Sequence, residues 1–308
     1  MVTDAAWKPR LIALDVDGTL LDPATQEISA MVRAAVRRVV EAGAQVVVST
    51  GRSMLGTLPI LDDLELISGI ALCSNGAVRV DAAAREVLSV ETFEPGPVLA
   101  ELARRLPGAI FAAEDVGAGS LVTSRFHEHE LHGPQQLASL DELVSVPVPR
   151  LIANWVDHEP AEVVEELAGI RLPGCTFTLD HYEPWVTVVP EGVTKGSALE
   201  KLRTELGIAS EDTFAAGDGD NDIEMLRWAA RGVAMGQAPA AVRAAAHEVT
   251  GPVAADGLAS AQTRLAWRCG WRNLGCPDSG IAVSRMSTKL RENPVRSSCW
   301  WGSTTTPV

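Results

Sequence analysis

Two stretches of the 308-residue chain place carboxylates where they could act on a bound ligand. Asp15-Val16-Asp17-Gly18-Thr19 follows the apolar run Leu11-Ile12-Ala13-Leu14, which predicts a buried strand ending in two acids and a tight turn. Alternation along a strand puts residues two apart on one side, so Asp15 and Asp17 are expected to face the same crevice. Gly18 permits the turn and Thr19 offers a hydroxyl. An ordinary aspartate turn would have the same local sequence. Far downstream, Thr213-Phe214-Ala215-Ala216 runs into Gly217-Asp218-Gly219-Asp220-Asn221-Asp222, a second strand end loaded with acid. Asp and Asn favour helix starts, and Asp220 fits such a cap, but three aspartates and an asparagine in five residues exceed what one helix start needs.

If Asp15, Asp17, Asp218 and Asp222 converge, they repel. Two unit charges about 4 Å apart at an effective dielectric near 20 cost about 4 kcal/mol. A cation is therefore required, and an all-oxygen ligand set without His or Cys points to Mg²⁺. Lys195, in Val193-Thr194-Lys195-Gly196-Ser197, is the third component. Thr194 is placed to cap the following helix, which leaves Lys195 in a first turn where a cation opposes the helix dipole. Stability alone would favour an acid there, so a functional task explains the lysine better than a solvated side chain does. Gln45-Val46-Val47-Val48 predicts a second buried strand, ending at Ser49-Thr50-Gly51-Arg52. Thr50 supplies a hydroxyl and Gly51 allows close backbone approach, while Arg52 fits either a phosphate clamp or a structural cap.

The elements that must position these groups alternate. Ile28, Met31, Val32, Ala35, Val36, Val39 and Val40 repeat at helical spacing and Gly43 follows as a terminator, so strand, helix and strand form a right-handed parallel crossover. The alternation resumes after Thr194 with a helix through Leu206, the strand at Thr213–Ala216, a helix from Asp220 to about Ala229 and a strand at Gly232–Met235. Between residues 85 and 190 the texture changes. Helices at Val98–Leu106 and Ala161–Ala168 mix with strands at Ala109–Ala113, Ser120–Thr123, Arg150–Val156, Thr176–Leu179 and Trp185–Val189, none ending in an acidic motif. The expected fold class is α/β, a doubly wound, Rossmann-like parallel-sheet core with an inserted α+β cap domain whose sheet is largely antiparallel. Core residues are expected at 1–84 and 191–261, the cap at 85–190.

An apolar fraction of 46% suffices for a packed core. A net charge of −14 argues against a nucleic-acid partner. No run approaches the roughly 18 apolar residues of a membrane span, and the start lacks a signal-peptide apolar region, so no membrane association and a cytoplasmic location are expected. The five cysteines lack paired spacing, which indicates reduced thiols rather than disulfides or zinc. Residues 262–308 hold seven basic against two acidic residues, four of eight tryptophans and three of five cysteines, without sustained periodicity. That composition, foreign to the body, predicts a poorly ordered tail. In the cap, His127-Glu128-His129-Glu130-Leu131-His132 offers metal-ligand chemistry, but such a run in an exposed loop or frayed helix is more often a solvated one. Trp155, Tyr182 and Trp185 could stack on a sugar or pack within the cap sheet.

Asp15-Val16-Asp17-Gly18-Thr19, Thr50, Lys195 and Gly217-Asp218-Gly219-Asp220-Asn221-Asp222 occur in the order of the four motifs of the haloacid dehalogenase superfamily of phosphatases. Ser49-Thr50-Gly51-Arg52, Ser74-Asn75-Gly76-Ala77 and Gly192-Val193-Thr194-Lys195-Gly196 resemble its Cof-type branch, subfamily IIB. The resemblance covers residues 9 to 261 and leaves the tail outside. It implies a Mg²⁺-dependent phosphatase in which Asp15 is the nucleophile and Asp17 the general acid/base. Asp15, the Asp17 carbonyl and Asp218 would hold the metal, and Asp222 would orient its waters. Thr50, Gly51, Arg52, Lys195 and Asn221 would bind the phosphoryl group. The implied partner is a small phosphorylated metabolite, with a sugar phosphate foremost, and the protein would act as a monomer or homodimer. Competing readings are a phosphomutase of the same superfamily and a non-catalytic sensor of a phosphorylated ligand, although a sensor does not require Asp17.

Overall fold

The computed structural model describes residues 7–127, 131–181 and 183–261. The expected tail, residues 262–308, lies outside the described residues, as does Tyr182. Strand β1 (Leu11–Leu14) is followed by α1 (Ala30–Glu41), β2 (Gln45–Ser49), α2 (Met54–Asp63), β3 (Ile70–Cys73), β4 (Val78–Asp81) and β5 (Glu86–Val90). Then come α3 (Pro95–Arg105), β6 (Ile110–Asp115), β7 (Gly119–Val122), β8 (Gln135–Leu137), α4 (Leu140–Leu143), β9 (Leu151–Asn154), α5 (Pro160–Glu166), β10 (Cys175–Leu179) and β11 (Trp185–Pro190). The chain continues with α6 (Lys195–Glu205), β12 (Thr213–Gly217), α7 (Ile223–Trp228), β13 (Arg231–Ala234), α8 (Ala240–Ala245) and β14 (Glu248–Val249).

Among the described residues, one eight-stranded sheet has the order β14-β13-β12-β1-β2-β3-β4-β5. From β14 to β3 the neighbours are parallel, with Leu14 opposite Ala216 on one side and Val48 on the other. Both faces are covered, so β1 is buried at every position. Alternation sends Ile12 and Leu14 into one apolar cluster with Val36 of α1 and Leu61 of α2, and sends Leu11 and Ala13 into another with Leu199 of α6 and Met225 of α7. Helix α1 starts because the Ser29 side chain accepts from Val32 N, and its buried stripe is Val32, Ala35, Val36 and Val39. From β1 the strand order grows outward in two directions, through β2 and β3 and through β12 and β13. The carboxyl ends of β1 and β12 therefore flank a topological switch point.

β4 and β5 are absent from the sequence-based reading. They form an antiparallel hairpin that extends the parallel sheet at β3. The turn is built by Asp81, whose side chain accepts from Ala83 N and Ala84 N, and by Arg85 at φ 58°. The chain thus leaves this sheet after Val90, and β5 falls on the cap side of the boundary expected at residue 84.

The second sheet has six strands among the described residues, ordered β10-β11-β9-β6-β7-β8, and every pair is antiparallel except β7 with β8. One face packs on α3 and α5 through Phe111, Ala113, Leu151, Ala153, Val186 and Val188. The alternate residues Ile152, Trp185 and Thr187 line a cavity of about 380 Å³. Its other wall is the carboxyl edge of the parallel sheet, including Asp15, Asp17, Asn75, Asp218 and Asn221.

Candidate active site

The two acidic strand ends meet because β1 and β12 pair in register. Asp15 N donates to Ala216 O at 3.0 Å, which carries the ladder one residue past β1 and fixes the first aspartate at the sheet edge. Gly18, at φ 77°, turns the chain, and a Cβ there would overlap the Asp218 carboxylate. Carboxylate oxygens of Asp15, Asp218 and Asp222 all lie within 4.8 Å of one another, and all three residues are buried.

Lys195 is the counter-charge. Thr194 caps α6, its hydroxyl accepting from Ser197 N at 3.0 Å, so the lysine occupies the first turn as expected. It is not solvated: Lys195 is 1% exposed, and Nζ donates to Asp15 Oδ1 and Asp222 Oδ1, each at 2.6 Å. Burial would lower the ammonium pKa, but Asp15 and Asp222 outweigh it and hold the group above its ordinary value. Lys195 therefore stays charged. Asp15 is pushed well above the usual carboxylate range, first by burial and then by Asp222, against the pull of Lys195. Asp218 is raised to about 6 by burial and by Asp222, partly offset by hydrogen bonds from Thr19 and Gln237. One ammonium does not neutralise three buried carboxylates. Such a site favours a divalent cation, and its oxygen-only donors suit Mg²⁺.

The four acids are not equivalent. Asp222 Oδ1 is taken by Lys195, and Oδ2 accepts from Asp218 N and Gly219 N, both at 2.9 Å, so this carboxylate shapes the β12 loop from inside. Asp218 accepts from Thr19 Oγ1 at 3.0 Å and from Gln237 Nε2 at 3.1 Å. The Asp17 side chain is about half exposed, apart from the cluster, and receives both Nε and Nη2 of Arg52. Arg52 is thus engaged with Asp17, and its Nη1 also donates to Gly56 O in the first turn of α2 at 3.4 Å. Asp220 does not cap by its side chain either; its Oδ2 pairs with His181 Nε2 at 2.7 Å, joining the tip between β10 and β11 to the β12 loop.

Thr50 is buried, and its Oγ1 accepts from Arg52 N at 3.1 Å. Asn221 Nδ2 donates to Asn75 Oδ1 at 3.0 Å, and Gly51, Arg52, Asn75 and Asn221 line the cavity. Asn75 belongs to three successive left-handed residues, Ser74, Asn75 and Gly76, with φ values of 51°, 56° and 99°. Asparagine tolerates that region, and the strain aims its side chain into the site. The sequence singled out Asn75 only within a family signature. Gln237 was missed; its amide also donates to Gly18 O at 2.6 Å, bridging the two acidic loops. Its position just beyond β13, next to β12 in the same parallel sheet, is the signal that could have found it.

In the cap, Trp185 lines the cavity and meets Phe126 edge-on at 5.6 Å, whereas Trp155 stacks on His158. Of the His127–His132 run, residues 128–130 lie outside the described residues. His132 faces the cavity, its pKa lowered to about 4 by burial and by Arg52. Among the described residues no metal-ligand cluster includes it.

This combination of a doubly wound core, a second sheet over its carboxyl edge and a lysine-clamped aspartate cluster defines a class of hydrolase. The family model described as haloacid dehalogenase-like hydrolase matches residues 12–105 and 126–261, and the chain belongs to that family as an enzyme of its phosphatase type. It is 29% identical over 287 residues to a pyridoxal phosphate phosphatase of Escherichia coli, covering 81% of this chain and 96% of that one. It is 27% identical over 266 residues to a 5-amino-6-(5-phospho-D-ribitylamino)uracil phosphatase of Bacillus subtilis, covering 82% and 96%. A solved haloacid dehalogenase subclass IIB sugar phosphatase superposes with a TM-score of 0.71 at 27% identity, covering 83% of this chain and 99% of that one. A haloacid dehalogenase-like hydrolase from Bacteroides thetaiotaomicron gives 0.70 at 27%, covering 84% and 100%. No helix among the described residues is long and apolar enough to cross a membrane.

Proposed function

We propose that the protein is a cytoplasmic, Mg²⁺-dependent phosphatase that hydrolyses a small phosphomonoester, with a sugar phosphate as the leading substrate class, through an aspartyl-phosphate. The observation that carries this reading is the buried Lys195–Asp15 contact at the floor of the cavity, inside a cluster of three carboxylates. Asp15 and Asp218, with the Asp17 carbonyl, would hold the ion, which when bound offsets the repulsion between an anionic nucleophile and an anionic phosphoryl group.

Lys195 opposes the burial and carboxylate repulsion that disfavour ionised Asp15, and it holds one oxygen while leaving the second for attack on phosphorus. As the bond from Asp15 to phosphorus forms, the bond to the substrate oxygen breaks, and Asp17 gives that oxygen a proton. Asp17 then takes a proton from water as the water attacks the aspartyl-phosphate, which releases orthophosphate and restores Asp15. Arg52 holds Asp17 at the cavity edge between these transfers. Thr50, Asn221 and the Gly51 backbone are the phosphoryl-binding groups. Asn75 orients Asn221.

The sugar-phosphate assignment draws on the subclass IIB relative and on a polar cavity wall. Thr178, Thr187 and a neutral His132 suit hydroxyl recognition beside the Trp185 ring. The test is release of inorganic phosphate from a panel of sugar phosphates, pyridoxal phosphate and flavin mononucleotide, with Mg²⁺ or with chelator. Release by the wild type with Mg²⁺, and none by Asp15→Asn, is expected. Label that moves between substrate hydroxyls without appearing as free phosphate would replace the hydrolase reading with a phosphomutase.

A further inference from the structure

Three consecutive carbonyls of the loop after β2 are engaged, two of them by the loop after β3. Thr50 O accepts from Asn75 N at 2.9 Å, and Arg52 O accepts from Ser74 N at 2.8 Å. The carbonyl between them, Gly51 O, accepts from Arg150 Nη1 at 2.6 Å. Two donors are backbone groups of the neighbouring loop; the third is a side chain of the second sheet, from the residue preceding β9. Arg150 is 7% exposed and is itself held. Its Nε lies 2.9 Å from Glu114 Oε2 on the adjacent β6, an ion pair whose N–H is not aligned for a hydrogen bond. The Arg150 carbonyl accepts from Glu114 N at 3.0 Å. Glu114 Oε2 also accepts from Ser74 Oγ at 2.6 Å, so the pair grips both core loops at once.

A buried ion pair is a poor source of stability, because desolvation of both charges offsets their attraction. Apolar side chains of similar volume would seat the cap as well. What they could not do is orient a peptide. In a trans peptide the C=O and the following N–H point in opposite directions, so a Gly51 carbonyl held to Arg150 aims Arg52 N–H the other way. There it meets Thr50 Oγ1 at 3.1 Å. With that lone pair engaged, the hydroxyl retains its own proton as a donor, which is the polarity a phosphoryl oxygen requires.

We propose that Arg150, seated by Glu114, is a positioning residue that sets the donor orientation of Thr50, so that the phosphoryl-binding loop is completed only with the second sheet in place. The kinetic consequence rests on the phosphatase reading; the orientation of the loop does not.

Two measurements on the full-length protein separate these. In hydrogen exchange, the segment 49–53 of Arg150→Met is expected to exchange at least about tenfold faster than in wild type, with residues 195–205 unchanged. Unaltered exchange at 49–53 overturns the proposal. Glu114→Gln, which leaves Arg150 in place but loosens its seat, should move the same segment and serves if Arg150→Met does not fold. In kinetics with p-nitrophenyl phosphate and Mg²⁺, Arg150→Met should lower kcat roughly ten- to hundredfold in the wild-type background. In a Thr50→Ala background the same change should cost about twofold or less, since Arg150 acts through Thr50. Equal losses in both backgrounds also overturn the proposal. A wild type that hydrolyses no phosphoester removes the phosphatase reading and leaves the exchange result to decide this one.

Discussion

Replacement of Asp15 by asparagine should stop turnover and, in the absence of metal, make the protein more stable. Asp15 has carboxylate oxygens of Asp218 and Asp222 within 4.8 Å, and at an effective dielectric of about 20 each such pair repels by roughly 3 to 4 kcal/mol. The Lys195 contact at 2.6 Å attracts by about 6 kcal/mol on the same scale. These opposing charge interactions nearly cancel, so the desolvation of a carboxylate that is 5% exposed decides the sign, and it disfavours the ionised form. Linkage agrees. A carboxyl whose folded pKa is raised destabilises the folded state at any pH above that value, and asparagine removes the charge. A gain of about 1 to 3 kcal/mol is expected in chelator at neutral pH, or a few degrees in melting temperature for a chain of this size. With saturating Mg²⁺ the order should reverse, because the wild type gains binding energy that the variant forfeits. Thermal melts of both proteins at pH 7.5, with chelator and with Mg²⁺, make the comparison. A metal-free Asp15→Asn protein melting below wild type would show that the Lys195 pair outweighs repulsion and desolvation together, and the argument for a self-repelling site would fail.

Asp17→Asn should lower kcat by about 10² to 10⁴ while leaving the Mg²⁺-induced rise in melting temperature intact, since its carboxylate stands apart from the metal cluster; loss of that rise would count against the assignment. Asp218, raised to about 6, binds its proton more tightly folded than unfolded, so metal-free stability should fall by at most about 3 kcal/mol as pH climbs from 3.8 through 6. Mg²⁺ competes with that proton, and its affinity should drop at least about tenfold per unit below pH 6, measured by titration calorimetry, with a shallower dependence in Asp218→Asn, where only Asp15 still competes. Gly18→Ala puts a Cβ into the Asp218 carboxylate at a φ of 77°, and the variant should lose activity and Mg²⁺ stabilisation together; wild-type activity in it would contradict the close approach of the two loops.

The residues that carry charge at strand ends were legible because together they exceed what structure needs, although an aspartate turn alone would explain Asp15 and Asp17. Acids beyond a buried strand do not pack, and Lys195 opposes the dipole of its own helix. The periods of α1, β1, β2 and β12 were legible for the ordinary reason that a sheet covered on both faces demands apolar runs. Partners were harder. Nothing in the local sequence says that Arg52 forks onto Asp17 or that Gln237 spans Gly18 and Asp218, because those contacts depend on strand order. The β4–β5 hairpin escaped notice since β5 is exposed along its length and lacks a burial pattern. In the second sheet the strands were visible but their two faces were not. Leu151 and Ile152 are equally apolar, yet only Ile152 turns toward the cavity. His132 was weighed as part of a metal-ligand run, and its place beside Arg52 emerges only from the fold.

The pairing of β1 with β12 also governs the order in which a newly made chain can mature. Leu11 finds its neighbour at Thr213, so a ribosome must release nearly the whole catalytic body before that edge is capped. Until then the growing polypeptide carries a naked apolar strand, the kind of surface that invites association with other unfinished chains or with a holdase. A truncation before residue 213 should consequently be recovered in inclusion bodies, even with the intervening α+β segment fully translated.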